Sequence, residues 1–231
     1  MRSLPEGFRA VVIGRSGGIG SAVAARLEAD PRCGEVVGLS RAEGFDLLDE
    51  ASIEAAARRL ASTGGPLDLV FDATGALQID GYGPEKTLRA LGPAGMAMQF
   101  AVNAIGPALV LKHFAPLLPR ERRGLFATLS ARVGSIGDNR LGGWISYRSA
   151  KAALNQIVRT AAIEIARTHP RAVVVALHPG TVATRLSDPF AGQRDRLSPD
   201  AAAAALLETL DGMTPERTGT FHAYDGSSIA W

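Results

Sequence analysis

A single cysteine, Cys33, stands among 231 residues, which leaves no disulfide and no thiolate metal centre within one chain. The four histidines, His113, His169, His178 and His222, show no metal-ligand spacing, so no metal site is expected. No stretch reaches 18 apolar residues, and no basic segment runs into an apolar one near residue 1; neither a membrane crossing nor a signal peptide is expected. Charge of one sign is missing too. A net charge of +2 gives no nucleic-acid footprint, and the one basic cluster, Arg120, Arg122 and Arg123, fits a solvated helix end. These absences predict a cytoplasmic protein with neither nucleic-acid nor membrane partners. Lysine is also scarce: Lys86, Lys112 and Lys151 are three of 25 basic residues, so a lysine beside a reactive group carries information.

What the chain does have is an alternation. Short apolar, β-branched runs (10–13, 35–39, 67–71, 125–129 and 172–177) alternate with amphipathic stretches (20–29, 52–62, 95–117, 147–168 and 199–210). Strands that read as continuous apolar runs between helices imply a parallel sheet covered on both faces. The pattern predicts an α/β fold, a single Rossmann-type doubly wound sheet of about seven strands, with residues 1–231 as one domain. Ligands of such folds lie beyond the carboxyl ends of the strands.

Two motifs fall where chemistry is expected. The first run is followed at once by Gly14-Arg15-Ser16-Gly17-Gly18-Ile19-Gly20 and then a helix. Glycine permits a tight turn and close approach of backbone to a phosphate, and a helix amino end favours an anion. Tyr147 and Lys151 stand four residues apart at a predicted helix start, so their side chains share one helix face. A phenol titrates near ~10, and a nearby ammonium would lower that value and make Tyr147 a usable acid/base. Trp144, Leu77, Arg132 and Phe190 are expected around a mostly apolar pocket.

With these motifs the chain resembles the short-chain dehydrogenase/reductase family. The G-x-x-x-G-x-G spacing of Gly14, Gly18 and Gly20, the segments Phe45-Asp46-Leu47 and Val102-Asn103-Ala-Ile-Gly-Pro107, the Tyr147/Lys151 pair and His178-Pro179-Gly180-Thr-Val182-Ala-Thr184 occur in the family's order. Ser130-Ala-Arg-Val-Gly-Ser-Ile and the ending Tyr224-Asp-Gly…Trp231 look closest to the C-factor and sniffer-type carbonyl reductase branch. The resemblance implies hydride transfer between NADP(H) and a carbonyl or alcohol substrate. It implies Tyr147 as acid/base, Lys151 as its partner and ribose ligand, Asn103 as holder of a helix kink and a proton-relaying water, and Ser130 as the donor that polarises the carbonyl. Cofactor contacts are implied at Gly14, Arg15, Ser16, Gly18, Ile19, Gly20, Ser40, Arg41, Asp46, Leu47, Ala73, Thr74, Gly75, Tyr147, Lys151, Pro179, Gly180, Val182 and Thr184.

Ser40-Arg41 stands where an acidic residue would select NAD, and Arg15 lies inside the glycine loop. Guanidinium forks suit a 2′-phosphate, so NADP is favoured, with NAD as the alternative. Three departures stand out. Ile13 replaces the usual Thr, Asp72-Ala73-Thr74-Gly75 replaces Asn-Asn-Ala-Gly, and the usual catalytic serine position is Ala131, with Ser130 one residue early. One step along a regular strand flips a side chain to the other face, so Ser130 needs a bulge to reach the site; failing that, Ser135 or a water must serve. Ala131 also keeps open a second function, a C-factor-type signalling or regulatory protein with little turnover. The family's four-helix interface implies a homodimer or homotetramer through the stretches 95–117 and 147–168, with Val110, Phe114, Leu154 and Val158 as candidate outer-face residues.

Overall fold

The computed structural model of the protein describes residues 1–188 and 195–231; Phe190 lies outside the described residues. Six strands form one parallel sheet: β1 (Phe8–Ile13), β2 (Cys33–Leu39), β3 (Leu69–Asp72), β4 (Gly124–Leu129), β5 (Ala172–His178) and β6 (Phe221–Ala223), in the order β2-β1-β3-β4-β5-β6. The expected count of about seven is corrected to six among the described residues. Between Leu39 and Leu69 the chain forms one crossover helix, α2 (Glu50–Ser62), and no further strand extends the sheet beyond β2.

β1, β3, β4 and β5 bury both faces, which is why those runs lack polar alternation, while the edge strand β2 stays partly exposed. Val11 and Ile13 pack with Ile53 of α2, with Val110 and Phe114 of α4 (Gly106–Phe114) and with Leu154 and Val158 of α5 (Ile145–Ile165). Ala10 and Val12 face the other layer, formed by Val23 and Leu27 of α1 (Gly18–Glu28) and Leu206 and Leu210 of α6 (Pro199–Asp211). Val110, Phe114, Leu154 and Val158 are therefore fully buried against the chain's own sheet, and their expected place on an outer face is corrected. The side chains left about half exposed there are Ile105 and Ile163.

The helical run 93–117, which includes α3 (Pro93–Phe100), is long and apolar enough to cross a membrane by length and composition. Asn103, Ala104, Val110, Leu111 and Phe114 on it are nevertheless buried within this domain. Strand order reverses between β1 and β3, since the chain leaves β1 to one side for β2 and returns to the other. Such a switch point opens a crevice at the carboxyl ends of the strands.

Candidate active site

Two adjoining depressions open over those strand ends. One, of about 410 Å³, is lined by Gly14, Ser16, Gly17, Ser40, Arg41, Asp46, Leu47, Ala73, Thr74 and Gly75, among others. The other, of about 550 Å³, takes in Ile19, Leu77, Ala131, Arg132, Trp144, Tyr147, His178 and the loop 179–187. Most of the expected cofactor residues thus line one or other of these depressions, with Pro179, Gly180, Val182 and Thr184 on the second.

The glycine loop keeps the first half open for a physical reason. Gly14 has φ +81, and a β-carbon on Gly20 would lie 2.2 Å from Gly14 O; one on Gly18 would meet Thr184 Cγ2 at 2.7 Å. The loop closes on itself through Gly17 N–H to Gly14 O (2.9 Å), and no side chain caps the start of α1. A bare helix amino end beside glycine backbone suits a phosphate. Arg41 lines this half. Arg15 does not: its Nη2 donates to Glu28 at 2.7 Å, and its stem lies across Gly38, whose β-carbon would fall 2.0 Å from Arg15 Cδ. In this position the Arg15 guanidinium is turned to Glu28 and does not line the glycine-rich depression. Asp46 Oδ1 accepts from Leu48 N–H at 2.9 Å, which fixes the turn beside the crevice.

Asn103 is fully buried within a π-helical turn, Ala101–Ile105, between α3 and α4. Such turns insert a residue and re-aim side chains, often at functional sites. Its Oδ1 accepts from Ala76 N–H (3.0 Å), while Nδ2 donates to Ala76 O (2.9 Å) and Gln99 Oε1 (2.8 Å). A β-carbon on Gly75 would lie 3.1 Å from Asn103 Oδ1 and 3.3 Å from Lys151 Nζ. These two groups therefore flank the same backbone point.

Tyr147 and Lys151 emerge from the first turns of α5, both buried. Lys151 Nζ donates to Leu129 O at 2.9 Å and lies 5.9 Å from the Tyr147 ring centroid. Burial pulls the ammonium down to about 8, with Asp72 opposing. Burial pushes the Tyr147 phenol well above its ordinary value. The expected depression of the phenol is not seen: desolvation is the cause that acts on it, and the Lys151 ammonium is engaged with a carbonyl.

Ser130 lines the larger depression without the bulge expected to re-aim it. Its N–H continues the β4–β5 ladder to Leu177 O (2.8 Å), so the bulge that would re-aim it is absent. Its hydroxyl donates to Asn155 Oδ1 at 2.6 Å. The next residue, Ala131, is extended (φ −146, ψ 144) and lines the crevice without a hydroxyl. Ser135 is buried, and its Oγ accepts from Asp138 N–H at 3.1 Å. His178 is held down to about 4 by burial and by Arg132, so it is neutral at neutral pH.

Three structural partners escaped sequence reasoning. Asn155 continues the Tyr147/Lys151 stripe at the same four-residue interval, a signal that was there to be used. Thr128 donates to Asp72 Oδ2 at 2.8 Å, a pairing across β3 and β4 that no motif announces. Glu85, in the long connection 77–91, accepts from Ser146 N–H and Oγ, and its carbonyl accepts from Trp144 N–H. It thereby caps α5 from outside one turn before Tyr147, while Trp144 (φ +55) packs edge-on against the Tyr147 ring at 6.3 Å.

Comparison with known proteins agrees with this geometry. A family profile described as enoyl-(acyl carrier protein) reductase matches residues 33–224. The 1-hydroxy-2-glutathionyl-2-methyl-3-butene dehydrogenase of Rhodococcus sp. (strain AD45) is 34% identical over 84% of this chain and 81% of its own length. The C-signal protein of Myxococcus xanthus is 33% identical over 72% of this chain and 94% of its own. Among solved structures, NADPH-bound carbonyl reductase from chicken fatty liver superposes with a TM-score of 0.84 at 24% identity, over 99% of this chain and 96% of its own. A Burkholderia multivorans chain described as a short-chain dehydrogenase/reductase, solved with bound NADP, superposes with a TM-score of 0.76 at 28% identity, over 97% and 99%.

Proposed function

This chain belongs to the short-chain dehydrogenase/reductase family of oxidoreductases, on the branch of the C-signal and sniffer-type proteins, and on that footing we propose that it is an NADP(H)-dependent carbonyl reductase with Tyr147 as acid/base. The observation that carries the proposal is that Tyr147 lines the larger depression while Lys151 Nζ and Asn103 Oδ1 flank Gly75, which lines the glycine-rich one. Arg41, on that crevice where an acidic residue would favour NAD, supports NADP, as does the NADP held by the Burkholderia relative. Gly14, Ser16, Gly18, Gly20 and the start of α1 would hold the diphosphate, Asp46 and Leu47 the adenine, and Thr184 with the 179–182 loop the nicotinamide. When bound, the nicotinamide supplies the hydride.

The protein's own residues manage the proton. A phenol kept protonated by burial is in the correct form to donate to a carbonyl oxygen, and general acid catalysis of this kind contributes about 10²–10⁴ in rate. The phenolate left behind is stabilised by the Lys151 charge, whose Nζ lies on the inner side of the ring. Lys151, with a pKa of about 8, remains mostly charged at neutral pH yet gives up a proton easily. Asn103, fixed by three hydrogen bonds, holds the helix turn beside it. With Ala131 in the family's serine position, Tyr147 supplies the carbonyl's hydroxyl donor, while Ser130 on the same wall is engaged with Asn155. Ser130 instead positions α5 through Asn155.

Ala131 also supports a second reading, a cofactor-binding signalling protein with little turnover. NADPH oxidation followed with a panel of aldehydes, ketones and quinones separates the two. The reductase reading expects turnover that Tyr147→Phe abolishes while NADPH affinity changes by less than about tenfold, or ~1.4 kcal/mol. Tight NADPH binding without turnover of any panel member favours the second reading.

A further inference from the structure

The larger depression is lopsided in charge. Arg132, Arg140 and Arg148 line it, and Asp138 is the one carboxylate among its described lining residues. Arg148 is committed to backbone, with Nε donating to Gly143 O at 2.9 Å and Nη1 approaching Val133 O at 3.3 Å. Arg132 meets Asp138 at 3.2 Å, and both side chains remain close to half exposed. An exposed pair of that kind is weak and exchanges readily for a better-placed partner.

Arg140 has no such partner. Its one polar contact among the described residues is a 3.5 Å approach of Nη1 to the carbonyl of neighbouring Asn139, too long to be more than a weak bond. The segment 189–194 contains no acidic residue that could satisfy it. The walls beside these cations are apolar: Leu77, Val133, Trp144, Leu186 and the strongly exposed Leu141, next in sequence to Arg140. None of the three arginines lines the glycine-rich half, where the cofactor's phosphates would lie.

We propose that the substrate is an anionic carbonyl compound, an apolar body with the reducible carbonyl at Tyr147 and a carboxylate bound by Arg140, assisted by Arg132. A planar guanidinium fork matches a carboxylate in two parallel hydrogen bonds, and an apolar body covers the leucine and tryptophan walls. The proposal rests on the reductase reading for the placement of the carbonyl, but the anion site itself does not depend on turnover.

The test uses acid and ester of one skeleton, 4-carboxybenzaldehyde against methyl 4-formylbenzoate, with a longer aliphatic aldehyde-acid and its methyl ester as a second pair. For at least one pair, the acid is expected to show kcat/KM about tenfold or more above the ester, through KM and falling with added salt. In Arg140→Gln the acid-to-ester ratio falls toward one. In parallel, the corresponding alcohol products are titrated calorimetrically into protein saturated with NADP. The wild type binds the acid alcohols more tightly than the ester alcohols, and Arg140→Gln erases the difference. Should no carbonyl be turned over while the acid alcohols still bind preferentially, the reductase reading fails and the anion site stands. Equal affinity for acid and ester in the wild type, or a preference that survives Arg140→Gln, overturns the proposal.

Discussion

Exchanging the two small residues after β4, Ser130→Ala and Ala131→Ser, separates a hydroxyl that holds the fold from a position that serves chemistry. Ser130 and Asn155 are only 4% and 3% exposed, and the 2.6 Å bond between them ties the end of β4 to α5. Asn155 in turn donates to Gly134 O at 3.3 Å, so the bond orders the turn that packs on the Lys151 backbone. Removing the Ser130 hydroxyl strands a buried amide oxygen, which costs about 1–3 kcal/mol. For a domain of this size, each kcal/mol shifts the melting temperature by roughly 2–4 °C, so a fall of roughly 2–12 °C is expected. No reacting atom loses a donor, so turnover per folded molecule stays within about threefold. Ala131→Ser needs no backbone change, since the residue is extended, and it puts a hydroxyl on the crevice wall. One well-placed oxyanion donor is worth about 10²–10³, and a gain of about tenfold or more in kcat is expected. Both variants are assayed by NADPH absorbance and by thermal unfolding on the same preparations. A Ser130→Ala protein that loses about 10² in turnover at unchanged melting temperature would refute the assignment, because its hydroxyl would then have to reach the substrate.

Arg41→Ala, and Arg41→Asp more severely, should weaken NADPH binding about tenfold or more relative to NADH, since a charge-assisted hydrogen bond contributes ~1.5–3 kcal/mol; an unchanged affinity ratio removes Arg41 from phosphate recognition. Burial lowers Lys151 to about 8 in the folded protein against 10.5 for an ordinary lysine. Between those values the unfolded chain binds the extra proton, so stability rises with pH across the window. Urea midpoints should show this rise as a difference between wild type and Lys151→Met, and parallel profiles would contradict it. Light scattering should find a dimer or tetramer at micromolar concentration, and Ile163→Asp should shift it toward monomer, since Ile105 and Ile163 stay 54% and 51% exposed on the outer helices; a monomeric wild type counts against assembly through this face.

Most of the strands that were legible in the sequence, β1, β3, β4 and β5, are buried on both faces, where burial removes polar residues; the edge strand β2 was legible from its Val36-Val37 pair although it is partly exposed. β6 was not, because three residues, Phe221–Ala223, are too few to register as a run. The Tyr147/Lys151 spacing correctly placed both side chains on one helix face, but spacing is silent about what else a charged group can reach. Leu129 O takes the Lys151 ammonium, and burial of the phenol, made by the fold and not visible in the spacing, raises it instead of lowering it. The serine question was posed correctly by the one-residue offset between Ser130 and Ala131. Its answer needed the ladder bond to Leu177, since a bulge has no sequence signature of its own.

The paired departures Ile13 and Asp72 change the polar side chains at two neighbouring strand ends, and the structure shows a side-chain brace at β3 and β4. Ile13 is a fully buried core side chain, so from this position β1 offers the end of β3 only its backbone carbonyl, which accepts from Ala73 N–H at 2.8 Å, and no side-chain hydrogen bond. Asp72, fully buried, instead takes Thr74 N–H at 3.0 Å and Thr74 Oγ1 at 2.5 Å on one oxygen, and Thr128 Oγ1 at 2.8 Å on the other. The side-chain tie runs between β3 and β4. A buried carboxylate tolerates burial only while its lone pairs are occupied, so Thr128→Val should cost about 1.5–3 kcal/mol. Asp72→Asn removes the charge that made the Thr128 hydroxyl necessary, so the two substitutions should be non-additive, with a coupling of about 0.5–3 kcal/mol in a denaturant-unfolding cycle. An additive cycle would mean that Thr128 does not hold Asp72, and the brace would have to be abandoned.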